Sequence, residues 1–195
     1  MPAVRPDELD PDDWLILHEA RLRGVFEPER GTVVATLIES ELVVAVPKGL
    51  RLTPTGREAH ESWARVEAGS EIEATVERAY KRFLVLNPEL LRLCTEWQVR
   101  PGGATNDHQD PEYDWAIFDR LSSIDDRVGP LVSGVAKVVD RFDGYRARLR
   151  VARRQIEDGS HDWFTSPRID SYHTVWMQLH EDLLLALGKE RASED

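Results

Sequence analysis

The chain has 195 residues, with 25 Lys and Arg against 36 Asp and Glu, for a formal net charge of −11. That balance argues against a generally basic nucleic-acid coat and against binding to anionic membranes, while leaving room for a small local contact patch. A hydrophobic fraction of 41% supports a core, a single cysteine cannot form an internal disulfide, and no apolar run approaches the roughly 18 residues of a membrane span.

The N-terminus, Met1-Pro2-Ala3-Val4-Arg5-Pro6, has no apolar segment, so no signal peptide is expected and a cytoplasmic location follows. Asp12 or Asp13 caps a helix carrying Trp14, Leu15, Leu17, His18 and Leu22, and Gly24 ends it. A second periodic segment runs from Thr32 to Leu42. Leu42 to Val46 reads as a strand, Pro47-Lys48-Gly49 as a turn, and Leu50 to Thr53 as the returning strand. Thr53 or Thr55 caps the next helix, with Pro54 suited to its first turn.

From Gly56 onward the pattern is helical. Ile72, Val76, Ala79, Tyr80, Phe83 and Leu84 repeat at helical spacing, and Asn87-Pro88 is expected to restart the helix direction. Leu90, Leu93, Cys94 and Trp97 share a helical face, which makes Cys94 a structural thiol. Gln98 to Asp110 reads as a loop, and the helix opened by Asp110-Pro111-Glu112 is expected to break at Gly129-Pro130. Asp143-Gly144 precedes a basic helix with Arg146, Arg148, Arg150, Arg153 and Arg154, whose expected role is a solvated face pairing with acids elsewhere. A second loop, Gly159 to Arg168, leads to a last helix capped by Asp170 or Ser171. The expected architecture is therefore mainly α. A small α+β module over residues 1–68 is followed by an all-α helical bundle over 69–195.

Helix, helix, β-hairpin, helix, with the junction Leu52-Thr53-Pro54-Thr55-Gly56, resembles a winged-helix DNA-binding domain of the MarR kind over about residues 12–66. Asn87-Pro88-Glu89-Leu90-Leu91, Asn106-Asp107-His108 and the stretch from Trp163-Phe164 to Asp182 are similar to an actinobacterial group of MarR-like regulators. The resemblance implies a transcriptional regulator, DNA as a partner and a homodimer. Thr32, Lys48, Arg51 and Arg57 are then the DNA-contact candidates. The residues themselves pull the other way. The segment in the recognition-helix position, Thr32 to Glu41, has no Arg, Lys, Asn or Gln to read base edges and carries Glu39 and Glu41. Residues 1–69 hold 13 acids against 8 Lys and Arg. A protein-interaction module with a degenerate winged helix therefore stands as an alternative.

The candidate ligand site lies near the C-terminus: Asp162, Trp163, Arg168, Asp170, His173, Trp176 and His180. Aromatic walls with a few polar tips suit a small polar ligand. Arg168 is the expected anchor for a small anion, or else an ion-pair partner of Asp162 or Asp170. Trp176 and the leucines of the last helix also fit a plain core face. His173 and His180 are two turns apart, roughly 10.5 Å along a helix axis, so they do not share one metal ion, and His108 or Asp107 can join only one of them. No metal or cofactor is expected. No P-loop, G-x-S-x-G elbow, dinucleotide fingerprint or HExxH motif is present. An enzyme using the C-terminal pocket is the least favoured alternative.

Overall fold

The computed structural model describes residues 9–28 and 34–190. It is mainly helical with a small two-stranded antiparallel sheet. The described residues divide into two units, one built from those up to Val66 together with residues 188–190, the other from Glu67–Leu187.

The first unit contains α1 (Pro11–Arg23), α2 (Ala35–Glu39), β1 (Val43–Val46), β2 (Gly49–Leu52) and α3 (Pro54–Ala64). Asp10, and not Asp12 or Asp13, caps α1, accepting the Asp13 N–H at 2.8 Å. Thr32 lies outside the described residues. The helix expected from Thr32 to Leu42 is described only as the short α2, which ends in a Schellman motif. The Leu42 N–H donates to the Leu37 carbonyl and the Glu41 N–H to that of Ile38, both at 3.0 Å, with Glu41 at φ 57° in the position usually held by glycine. Sequence periodicity missed this stop because the left-handed residue is Glu. Phe26 and Leu50 exchange two backbone hydrogen bonds, at 2.9 and 2.7 Å, adding a bridge to the hairpin's returning strand. The core of this unit gathers Ile16, Leu17 and Ala20 of α1, Leu37 of α2, and Leu42, Val43, Leu50 and Leu52 of the hairpin.

The Leu-Thr-x-x-Gly junction has a direct mechanical reading. Thr53 Oγ1 accepts the Gly56 N–H at 2.9 Å and donates to the Glu41 carbonyl at 2.5 Å. The first turn of α3 thereby sits so close to Leu42 that a side chain at Gly56 would collide with the Leu42 carbonyl. Beside it, His18 Nδ1 and His60 Nε2 are 2.9 Å apart in the interior, and Trp14 stacks on Trp63.

The second unit contains α4 (Glu71–Gln98), α5 (Pro111–Ala136), α6 (Asp143–Glu157), the short α7 (Asp162–Thr165) and α8 (Tyr172–Leu187). Partner numbers run in opposite directions across each neighbouring pair. Glu96 meets Arg120 while Glu89 meets Arg127. Asp125 meets Arg146 while Ser122 meets Arg153. Asp182 meets Tyr145 while Gln178 meets Arg148. Phe83 meets His180 while Asn87 meets Trp176. The four long helices therefore form an up-down-up-down bundle closed by α4 against α8. Phe83, Leu90, Leu121, Leu149, Trp176 and Leu179 are fully buried in its core.

Two expected breaks are corrected. α4 continues through Pro88 and α5 through Gly129-Pro130. The side chain of Asn87 accepts the Trp176 indole N–H at 3.0 Å. Gly129 leaves room for the Arg146 guanidinium, which would lie 2.9 Å from a Cβ there. Packing against neighbouring helices outweighs the local preference of proline to interrupt.

Candidate functional site

A cleft opens in the second unit where the end of α4, the start of α5, the end of α6 and the start of α7 converge. It encloses about 200 Å³, and Trp97, His108, Asp114, Trp115, Phe118 and His161 are among its lining residues.

Trp97, in the last turn of α4, is its back wall. It is buried and stacks on Phe164 of α7 with ring centroids 4.6 Å apart. The same indole lies 4.5 Å from the His108 ring and 5.6 Å, edge-on, from that of His161. The two imidazoles are themselves 4.2 Å apart. Trp115 forms the outer wall at 51% exposure, with Phe118 edge-on to it at 5.2 Å.

The loop between α4 and α5 holds the polar edge. Val99 bridges Thr105, and the Asn106 N–H donates to the Gln98 carbonyl at 2.9 Å, folding the Pro101-Gly102-Gly103 turn outward. Asn106 is buried, and its amide donates to the Trp97 carbonyl at 3.1 Å and to Asp114 Oδ1 at 2.8 Å. Asp114 Oδ2 lies 2.9 Å from His108 Nδ1. An ionised carboxylate only accepts, and the Asn106 amide has two hydrogens, already directed at Trp97 and Asp114, so the proton on this contact belongs to His108 Nδ1. His108 has φ 58°, an uncommon backbone state for a side-chain-bearing residue and one that gathers at functional sites. Asp110 caps α5, and its carboxyl is held below the usual carboxylate range first by the hydrogen bond from Arg100, at 2.6 Å, and then by the Tyr113 N–H.

None of the seven residues expected at the ligand site lines this cleft. Asp162 is exposed in the first turn of α7 and Trp163 is half-buried. Arg168 is exposed, its backbone N–H donating to Ser166 Oγ at 3.4 Å. Asp170 pairs with Arg148 at 3.0 Å. His173 is half-buried, and burial lowers its pKa. Trp176 and His180 belong to the bundle core, stacked on or tilted against Phe83. Of the candidate DNA contacts described, Lys48 lies at the hairpin turn, Arg51 on β2 and Arg57 on α3, all exposed.

Sequence reasoning missed Asp114 and His161. His161 directly precedes the stretch singled out, and His108 was weighed only as a partner for the last helix. Asn-x-His six residues ahead of an aspartate in the next helix was the available signal, but nothing in the spacing pointed to His161, 53 positions away. No helix is long and apolar enough to cross a membrane among the described residues. In comparisons with known proteins, no family, no curated protein and no solved structure matches the chain.

Proposed function

We propose that the chain is a regulator-like protein whose helical unit binds a small effector and whose N-terminal unit is a winged-helix-like output module. The effector reading rests on one observation: the cleft joins Trp97, Trp115 and Phe118 to a fixed His108–Asp114 pair and the exposed His161. Apolar walls with a few converging polar groups are the usual make-up of a small-molecule site. A compact ligand with an aromatic or apolar body and one polar tip suits it.

The output reading is supported by element order, by the Phe26 bridge to the hairpin and by the capped Leu52–Gly56 junction. Lys48, Arg51 and Arg57 offer phosphate contacts there, which position a duplex without reading its sequence. A specific observation favours a second reading, in which this unit binds a protein: α2 exposes Ile38 and Glu39, and β1 exposes Val44. An acidic and apolar surface is repelled by phosphates and accepts a protein partner.

Gel retardation with the upstream DNA at low salt, with and without an effector found by tryptophan quenching, tests the proposal. Retardation that changes with effector and is lost in Lys48→Glu/Arg51→Glu is expected. No retardation at any salt ends the DNA reading, and a partner captured through Ile38 supports the second. Trp115→Ala abolishes effector binding if the cleft is the site. Arg168→Ala abolishes it instead if the effector is a small anion held at that arginine.

A further inference from the structure

We infer that His108, Asp114 and His161 form a binding site for a divalent first-row transition ion, open on the cleft side. One imidazole nitrogen from each histidine and a carboxylate oxygen of Asp114 all lie within 4.8 Å of one another. Donors around a four-coordinate ion with bonds of about 2.0–2.2 Å lie roughly 3.4 Å apart. His108 Nδ1 and Asp114 Oδ2, at 2.9 Å, are already within that span. His161 is exposed, so rotation of its side chain brings the third nitrogen in.

The surroundings are those of a supported metal ligand set. Asn106, buried and anchored to the Trp97 carbonyl, donates to Asp114 Oδ1 and thereby directs Oδ2 toward His108. Outer hydrogen bonds of this kind orient ligating carboxylates and sharpen affinity. Asp114 sits in the first turn of α5, beside the loop that carries His108. The left-handed backbone of His108 holds its ring against Trp97. The ion takes the place of the hydrogen that links His108 Nδ1 to Asp114 Oδ2, and that proton leaves to solvent as the ion binds.

Two imidazoles and one carboxylate select ions of the zinc, cobalt, nickel and ferrous class over calcium and magnesium, which prefer all-oxygen shells. Three protein donors leave at least one coordination position, and the cleft they line also holds Trp115 and Phe118. A cleft ligand with a carboxylate, hydroxamate-like or phenolate tip would complete it. The inference rests on the reading of this cleft as a binding site and not on any contact with DNA.

The test is titration of the full, tag-free chain with Co²⁺ after chelator treatment, followed by visible absorption and by Zn²⁺ competition. One Co²⁺ per chain with d–d bands is expected. Affinity falls at least about tenfold in His161→Ala and in Asp114→Asn and is unchanged in His173→Ala. His161 is exposed, so its variant keeps the fold, checked by circular dichroism, even where Asp114→Asn disturbs the Asn106 network. Equal Co²⁺ binding by the chain and by His161→Ala, or no d–d bands at all, overturns the inference. An effector that quenches tryptophan in a chain that shows no d–d bands with Co²⁺ would leave the effector reading standing while ending the metal one. Metal binding with no effector response would do the reverse.

Discussion

Asp125 has no exposed surface, yet it carries a carboxylate into the bundle. Arg146 donates to its Oδ1 at 2.7 Å, Tyr172 donates to the same oxygen at 3.1 Å, and Arg153 stands 3.5 Å from Oδ2. Burial, and then the charge of Asp125, push the Tyr172 hydroxyl well above its usual pKa, so it remains the donor. Arg146, Arg148 and Arg153 of the basic helix thus pair with acids across helix interfaces, while Arg150 and Arg154 stay exposed. These acidic partners are 21 and more positions distant, and no helical spacing rule reaches them. Removing one partner of a buried pair leaves an uncompensated charge. Asp125→Ala should therefore cost about 3–5 kcal/mol in urea unfolding, while Asp125→Leu/Arg146→Met should recover most of that loss. A double variant as unstable as the single one would show that the pair is not what Asp125 contributes. Cys94, on α4, is inert by the same logic of burial: desolvation pushes its thiol up to about 12.

At the scale of the element, α8 shows what periodicity can and cannot deliver. Its apolar stripe was legible, because Tyr172, Trp176, Leu179 and Leu183 recur at three-to-four spacing and all are buried. Periodicity did not deliver the partner of Asp170 just before α8, which is Arg148 of α6, 22 residues earlier, and not the nearby Arg168. Pro88 and Pro130 read as stops, since local propensity speaks for one segment only while the bundle holds both faces of each helix. His173 occupies the first turn of α8, half-buried, and burial lowers its pKa; the positive end of the helix acts in the same direction. The sign follows directly. Above the unfolded value of about 6.5 the ring is neutral in both states, and the fold loses nothing. As pH falls through that value toward the lower folded one, the unfolded chain takes up the proton first, so stability drops. Between pH 7 and 5, His173→Gln should lose less stability than the parent chain, read from paired denaturant curves. Parallel curves across that range would contradict it.

At the scale of the whole molecule, the division near Val66 rests on two separate cores. One gathers α1, the hairpin and α2; the other gathers the four long helices around Phe83, Leu121, Leu149 and Trp176. The pattern turns purely helical after Gly56, yet α3 still belongs to the first unit; the cleft was not readable at all, because its walls come from four elements that only the bundle's closure assembles. Every residue lining the cleft belongs to Glu67–Leu187. A bundle of roughly 120 residues is large enough to bury its own core and fold alone. A fragment of residues 67–190 should therefore unfold in one cooperative transition. It should also bind Co²⁺ and any cleft ligand within about twofold of the full chain, since no donor or wall is removed. Fluorescence of Trp97 and Trp115 follows both events in one sample. A fragment that is helical but melts without cooperativity would mean that the first unit is needed to fix the bundle. A fragment that folds yet loses the ligand would mean that the cleft draws on residues outside it.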